Sequence, residues 1–279
     1  MKTALSVPNF GSFGDPTVLI ELAREAEEAG WDGFFVWDHV RLFDDFSVPV
    51  LDPWVAFGAI AASTGRIRLG PMVTPVARRR PHKLARETVT LDHLSGGRLV
   101  FGVGLGEPPT ADFEWLGEVS GSRARADLLD EGLEVITSMW SGETLDHRGP
   151  AFTARGPGFL PAPVQVPRIP IWVAAAWPNR RPLRRAVRWD GVVPIVVGGE
   201  LGFHEPSVDE FAEIAAFVKS ERSGDGPFEM IAMGSRLYYG DADLDAYAAL
   251  GATWWMESIG YPGPGFDDWR DVIRSGPPS

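Results

Sequence analysis

The feature that most constrains this chain is a unit that recurs eight times: a short apolar run, a loop, then a helical stretch. The runs cover 3–9, 33–39, 67–74, 99–105, 171–176, 191–197, 228–234 and 252–259. Each is nearly continuous in apolar character, as a strand buried on both faces requires. The stretches between them carry helix signals. Asp15 and Pro16 open the first, Leu19, Leu22, Ala26 and Ala29 line one face, and Gly30 ends it. A second runs from Pro81 through Leu84, Leu91 and Leu94 to Gly96, and a third opens near Ser122 with Leu129, Leu133, Ile136 and Trp140 as its stripe. Further helices are expected over 53–63, 180–189, 207–222, 242–249 and 266–274. Strands alternating with helices in this number predict an α/β fold, a (β/α)8 TIM barrel spanning 1–279 as one domain. The stretch 142–170 is rich in Gly and Pro, shows no period and reads as an insertion of the kind that often serves function.

Composition excludes several classes. With 26 Lys and Arg against 38 Asp and Glu, the net charge is −12, which repels a phosphate backbone and argues against nucleic acid. Cysteine is absent, so disulfides, thiolate metal sites and cysteine nucleophiles are excluded. No 18-residue apolar run exists and the first residues lack a leader-like stretch, so no membrane association and a cytoplasmic location are expected. The five His are scattered, with no metal-ligand spacing, and no Gly-x-Ser-x-Gly elbow follows a strand. Local cations at Arg78–Arg80 and Arg180–Arg185 could still hold one anionic small molecule. The 11 Trp suit either a planar apolar ligand or ordinary core packing.

In such barrels the reactive groups sit at the C-terminal ends of the strands. Asp38-His39 closes the second run, and a His there can exchange a proton near neutral pH. Alternation along a strand points Asp38 and His39 to opposite sides. Gly102, Gly104 and Gly106 precede Glu107, but Pro108-Pro109 follows where a dinucleotide fingerprint needs a helix. These glycines fit either the approach of a flat ligand or tight strand packing. Asn179, Arg180 and Arg181 stand where the fifth helix begins, and helix N-termini bind phosphate. Glu107 and Glu257 offer the two carboxylates of a glycoside hydrolase, though on opposite sides of the barrel.

Several segments together resemble the luciferase-like family of flavin- and deazaflavin-dependent oxidoreductases. They are residues 23–33, Trp37-Asp38-His39, Thr74-Pro75, Arg79-Arg80-Pro81, residues 83–87, Leu91-Asp92, Ser95-Gly96-Gly97-Arg98 and Gly102-Val103-Gly104. The resemblance implies a barrel with a cofactor at its C-terminal mouth and a small-molecule substrate, and it is compatible with a homodimer. The Asp-His pair and Gly106-Glu107 look like the branch that uses coenzyme F420 for hydride transfer. An FMN-dependent monooxygenase acting on a small organic substrate with O2 is the alternative, and a non-catalytic flavin-binding relative is a third reading. By the same resemblance His39, Asp38 and Glu107 are the expected catalytic residues: His39 is the acid or base, Asp38 holds the ring or orients polar groups, and Glu107 faces the ring. A bulge with a non-proline cis peptide is expected near Met72-Val73. Cofactor contacts are expected at Asp38, Met72, Val73, Thr74, Gly106, Glu107, Ala175, Ala176, Asn179, Arg180, Val197 and Gly198; no metal is implied. The chain departs from its relatives in carrying Ala175-Ala176-Trp177 in place of Gly-Gly, with Trp177 placed to narrow the phosphate end. Alcohol-oxidising relatives place a Trp shortly after the Asp-His pair; here Phe43 is the nearest aromatic, a departure that argues against oxidation of a sugar phosphate or simple alcohol.

Overall fold

A computed structural model describes residues 1–42, 47–199, 202–224, 226–260 and 263–278; Phe43 lies outside them. The eight expected strands are present. They are β1 (Lys2–Val7), β2 (Gly33–Val36), β3 (Arg68–Pro71, resuming at Thr74–Pro75), β4 (Phe101–Gly104), β5 (Ile171–Trp177), β6 (Gly191–Val197), β7 (Glu229–Gly234) and β8 (Trp254–Ser258). Each pairs in parallel with the next, and β8 pairs with β1, which closes the ring. The first part of β3 pairs with β2 and the resumed part with β4, so the strand breaks at residues 72 and 73. The expectation for the second run reaches 39, three residues past the assigned strand: Trp37 N–H still donates to Val7 O of β1 at 2.9 Å, but the backbone of 38 and 39 bonds the side chains of Arg78 and Asn9 instead.

The helices of six or more residues are α1 (Pro16–Glu28), α2 (Pro53–Ser63), α3 (Pro81–Ser95), α4 (Ser122–Trp140), α5 (Arg180–Ala186), α6 (Val208–Glu221), α7 (Leu244–Ala249) and α8 (Phe266–Ser275). Their ends follow local chemistry. The Asp15 carboxylate accepts from Thr17 N–H, and Asp52 accepts from Trp54 and Val55 N–H. Gly96 closes α3 at φ 63°, a left-handed position that favours glycine. Among the described residues no helix is long and apolar enough to cross a membrane.

Two apolar compartments hold the barrel. Inside the ring, Ala4, Phe35, Met72, Val100, Trp172, Val193, Ile231, Trp254 and Met256 pack together. The rings of Phe35, Trp172 and Trp254 meet at 5.2–6.4 Å and plug the lumen from three sides, so the barrel is a packed core. Outside it, a continuous layer including Leu22, Trp31, Phe57, Leu84, Leu133, Ile214, Trp255 and Trp269 seats the helices. Most tryptophans are thus core residues, which decides for packing over a ligand wall.

The insertion is more ordered than its sequence implies. Leu145–Arg148 pairs antiparallel with Thr153–Gly156. The buried carboxylate of Glu131 on α4 pins this hairpin, accepting from Ala151 N–H at 2.9 Å and Phe152 N–H at 2.7 Å, with His147 Nε2 at 3.1 Å. Beyond it, Arg86 of α3 stacks 3.7 Å from the Phe159 ring centre, and Asp92 accepts from Val164 N–H at 2.8 Å. The segment is therefore a strap across α3 and α4.

Candidate active site at the barrel mouth

Alternation at the end of β2 builds the site. Phe34 and Val36 face the helix layer and Phe35 faces the lumen. Asp38 continues the outer row and His39 the inner one. The Asp38 carboxylate is 1% exposed, accepts from Arg79 at 2.7 and 2.8 Å, and pairs with Arg78 at 3.1 Å. Thr74 Oγ1 donates to it at 2.8 Å, and Trp54 Nε1 at 3.3 Å. Burial pushes this carboxyl up, but the Arg79 and Arg78 guanidiniums outweigh it and hold the group below the usual carboxylate range. An acid with every lone pair engaged by fixed donors is an anchor for this corner rather than a proton carrier. Thr74, bonded to both Asp38 and Trp54, shares that task.

His39 sits differently. Its ring packs edge-on against Phe10 and Trp37 at 6.0 and 5.9 Å, and its side chain keeps 16% exposure. Asn9 accepts from His39 N–H at 3.3 Å and donates to His39 O at 2.8 Å, so the end of β1 braces the end of β2. Nδ1 lies 2.9 Å from Oδ2 of Asp112, which is wholly buried. On the lumen side of the strands, where His39 also lies, Trp37, Val73, Ala174, Ala176, Ile195 and Met233 are apolar and half-buried. Met72 is 8% exposed, and the peptide between Met72 and Val73 is cis, where the resemblance implies it.

The loop after β4 forms the neighbouring rim and reaches His39 through Asp112. Glu107 is exposed, with Arg125 of α4 at 3.4 Å. Arg125 is itself 1% exposed and donates to the carbonyls of Leu105 and Gly106. Gly106 has φ 81°, and a Cβ there would lie 2.8 Å from Pro75 and Phe113. A Cβ at Gly102 would run into the Pro71 carbonyl, and one at Gly104 would sit 2.6 Å from Val73 Cγ2. The glycines of β4 therefore let it close on the break in β3. They serve strand packing, not an open approach for a ligand.

At the head of α5, Asn179 and Arg180 are exposed. The Arg180 guanidinium lies 5.5 Å over the Phe217 ring of α6 and Arg181 pairs with Asp127 at 2.6 Å. Trp177 also meets Phe217, at 6.0 Å, so it packs into the helix layer and does not narrow the groove from inside. Ala175 is 1% exposed on the same outer side, whereas Ala176 faces the lumen; Val197 and Gly198 close β6 at the rim, Val197 half exposed.

Residues 5–267 match the sequence pattern of the luciferase-like monooxygenase family. The chain belongs to that family. An uncharacterised protein of Mycobacterium tuberculosis is 37% identical over 171 residues, 55% of this chain and 59% of that one. An F420-dependent glucose-6-phosphate dehydrogenase of Beutenbergia cavernae is 34% identical over 211 residues, 75% of this chain and 60% of that one. A solved structure of an F420-dependent secondary alcohol dehydrogenase holding an F420–acetone adduct superimposes with a TM-score of 0.77. It covers 98% of this chain and 97% of that one at 15% identity. The chain spans 44–60% of the length of such curated relatives.

Within this luciferase-like barrel, sequence reasoning missed Asp112 and Arg125. Asp112 lies in a Pro-rich loop without periodicity, 73 residues from its partner His39. Arg125 stands at a position that the apolar stripe of α4 assigns to the core, and a charge at such a position is the signal that could have found it. Glu257 does not join Glu107. It is fully buried in the helix layer, where Arg236 N–H donates to it at 2.6 Å and Trp255 Nε1 at 3.3 Å. Burial pushes its carboxyl up, against the pull of Arg236. The hydrolase pair is therefore not assembled. Among the described residues no cluster of His, Asp or Glu could hold a metal.

Proposed function

We propose that this protein is an oxidoreductase that binds coenzyme F420 at the C-terminal mouth of its barrel and transfers hydride to or from a small organic molecule. The observation that carries the reading is His39 standing on the lumen side together with half-buried apolar residues, within a luciferase-like barrel. The residues fit the cofactor's ring. Ala174 and Ala176 are small on the lumen side, and Val73, Ile195 and Met233 make it apolar, as a planar tricycle requires. Deazaflavin, when bound, supplies two-electron hydride chemistry.

The chain supplies the rest. His39 holds or moves a proton at the substrate oxygen, which a hydride step at the adjoining carbon requires. Asp38, locked by Arg78 and Arg79, keeps the β2 end in place. Glu107 offers a carboxylate on the rim, steadied by Arg125. Asn179 and Arg180, exposed at the head of α5, are the candidates for the anionic tail. The same residues could carry FMN for a monooxygenase reaction, but a proton-exchanging His on the rim favours hydride transfer at an alcohol or carbonyl. Fluorescence titration of the purified protein with F420 and with FMN tests the reading. Saturable F420 binding with weaker or no FMN binding is expected; tight FMN binding with no response to F420 overturns it.

A further inference from the structure

Asp112 reaches three donors from full burial. Its Oδ1 accepts from the backbone N–H of Val40 at 2.8 Å and of Arg41 at 2.9 Å, and its Oδ2 lies 2.9 Å from Nδ1 of His39. An aspartate carboxylate only accepts, so the imidazole nitrogen facing it must donate. Nothing else described competes for that choice: Phe10 and Trp37 meet the ring edge-on, and Asn9 reaches His39 through its backbone, not its ring. Because Oδ1 is fixed by two backbone groups, Oδ2 cannot swing away from the ring.

We propose that Asp112 is the positioning residue of this site: it holds His39 in the tautomer protonated at Nδ1 and leaves Nε2 as the nitrogen that exchanges a proton with substrate. This rests on the reading of His39 as the proton-transfer group. The carboxylate does two things. It fixes the ring's orientation by one bond, and it faces the positive charge that the imidazole gains when Nε2 takes a proton. It also ties the loop after β4 to the loop after β2, so the acid–base group and these two loops share one anchor.

The test reads the ring directly and needs neither cofactor nor substrate. Protein labelled with 15N-histidine gives ring-nitrogen signals, and those of His39 are identified by their loss in His39→Asn. In wild type the neutral ring is expected to carry its proton on Nδ1, the form that an unrestrained imidazole in water disfavours. In Asp112→Asn the amide oxygen stays with the Val40 and Arg41 N–H groups, so the NH2 donates to Nδ1 and the proton moves to Nε2. A wild-type ring protonated on Nε2, or a tautomer indifferent to Asp112→Asn, overturns the proposal. If the variant does not fold, the wild-type tautomer decides alone. Failure of F420 to bind would remove the hydride-transfer reading and leave this result intact, so the two claims fall separately.

Discussion

Removing the Asp38 carboxylate leaves two guanidiniums without their partner, one of them on a side chain only 5% exposed. Breaking a buried pair from one side costs about 3–5 kcal/mol, because the remaining charge is stranded. Asp38→Ala is therefore expected to lower the thermal midpoint sharply, whether or not cofactor is added, as calorimetry would show. A loss of activity with unchanged stability would instead make Asp38 a group that acts on ligand. His39 should behave in the opposite way. It is braced by Asn9 through backbone atoms, so changing its side chain leaves the β1–β2 corner intact. With any substrate the wild type turns over, His39→Asn is expected to lower kcat by about 10²–10⁴-fold, the usual contribution of general acid–base help. F420 affinity should move by no more than a few-fold.

At the scale of elements, the break in β3 and the glycines of β4 are one device. Gly102→Ala drives a methyl into the Pro71 carbonyl, which is backbone and cannot turn aside. Overpacking of this kind costs about 1–3 kcal/mol, and chemical denaturation should register it with little change in slope. Alternation and apolar runs made the strands legible, and Asp15, Pro16 and Gly96 marked helix ends by local chemistry alone. The side to which Asp38 and His39 point was legible from strand period. What each side chain meets there was not, since Arg79 and Asp112 arrive from 41 and 73 residues away. The hairpin at 145–156 escaped for the same reason: its register depends on the Glu131 carboxylate, not on a pattern in its own residues. The cis peptide at Met72-Val73 was legible only through family resemblance.

Across the whole molecule, the first and last helices are clasped by charge. Glu25 on α1 accepts from Arg270 at 2.6 Å and Arg274 at 2.7 Å on α8. The Arg270 bond leads, burial opposes it, and Arg274 adds to it, so the Glu25 carboxyl falls from 4.5 to about 2. A folded-state value below the unfolded one contributes stability at pH above about 4.5, and that contribution fades as pH falls toward 2. Glu25→Gln should thus cost about 1 kcal/mol at pH 7, as a partly exposed cluster does. The gap between its melting curve and the wild type's should close near pH 2; a gap independent of pH would mean that the clasp acts by packing. If the F420 ring rests on the lumen-side apolar residues, Ala176→Trp fills the space that an alanine now leaves open to it. F420 affinity, followed by fluorescence, is expected to drop more than about tenfold, which is about 1.4 kcal/mol, while the circular dichroism spectrum and melting temperature stay near wild type. F420 binding as tight as in wild type would place the ring elsewhere and overturn this placement.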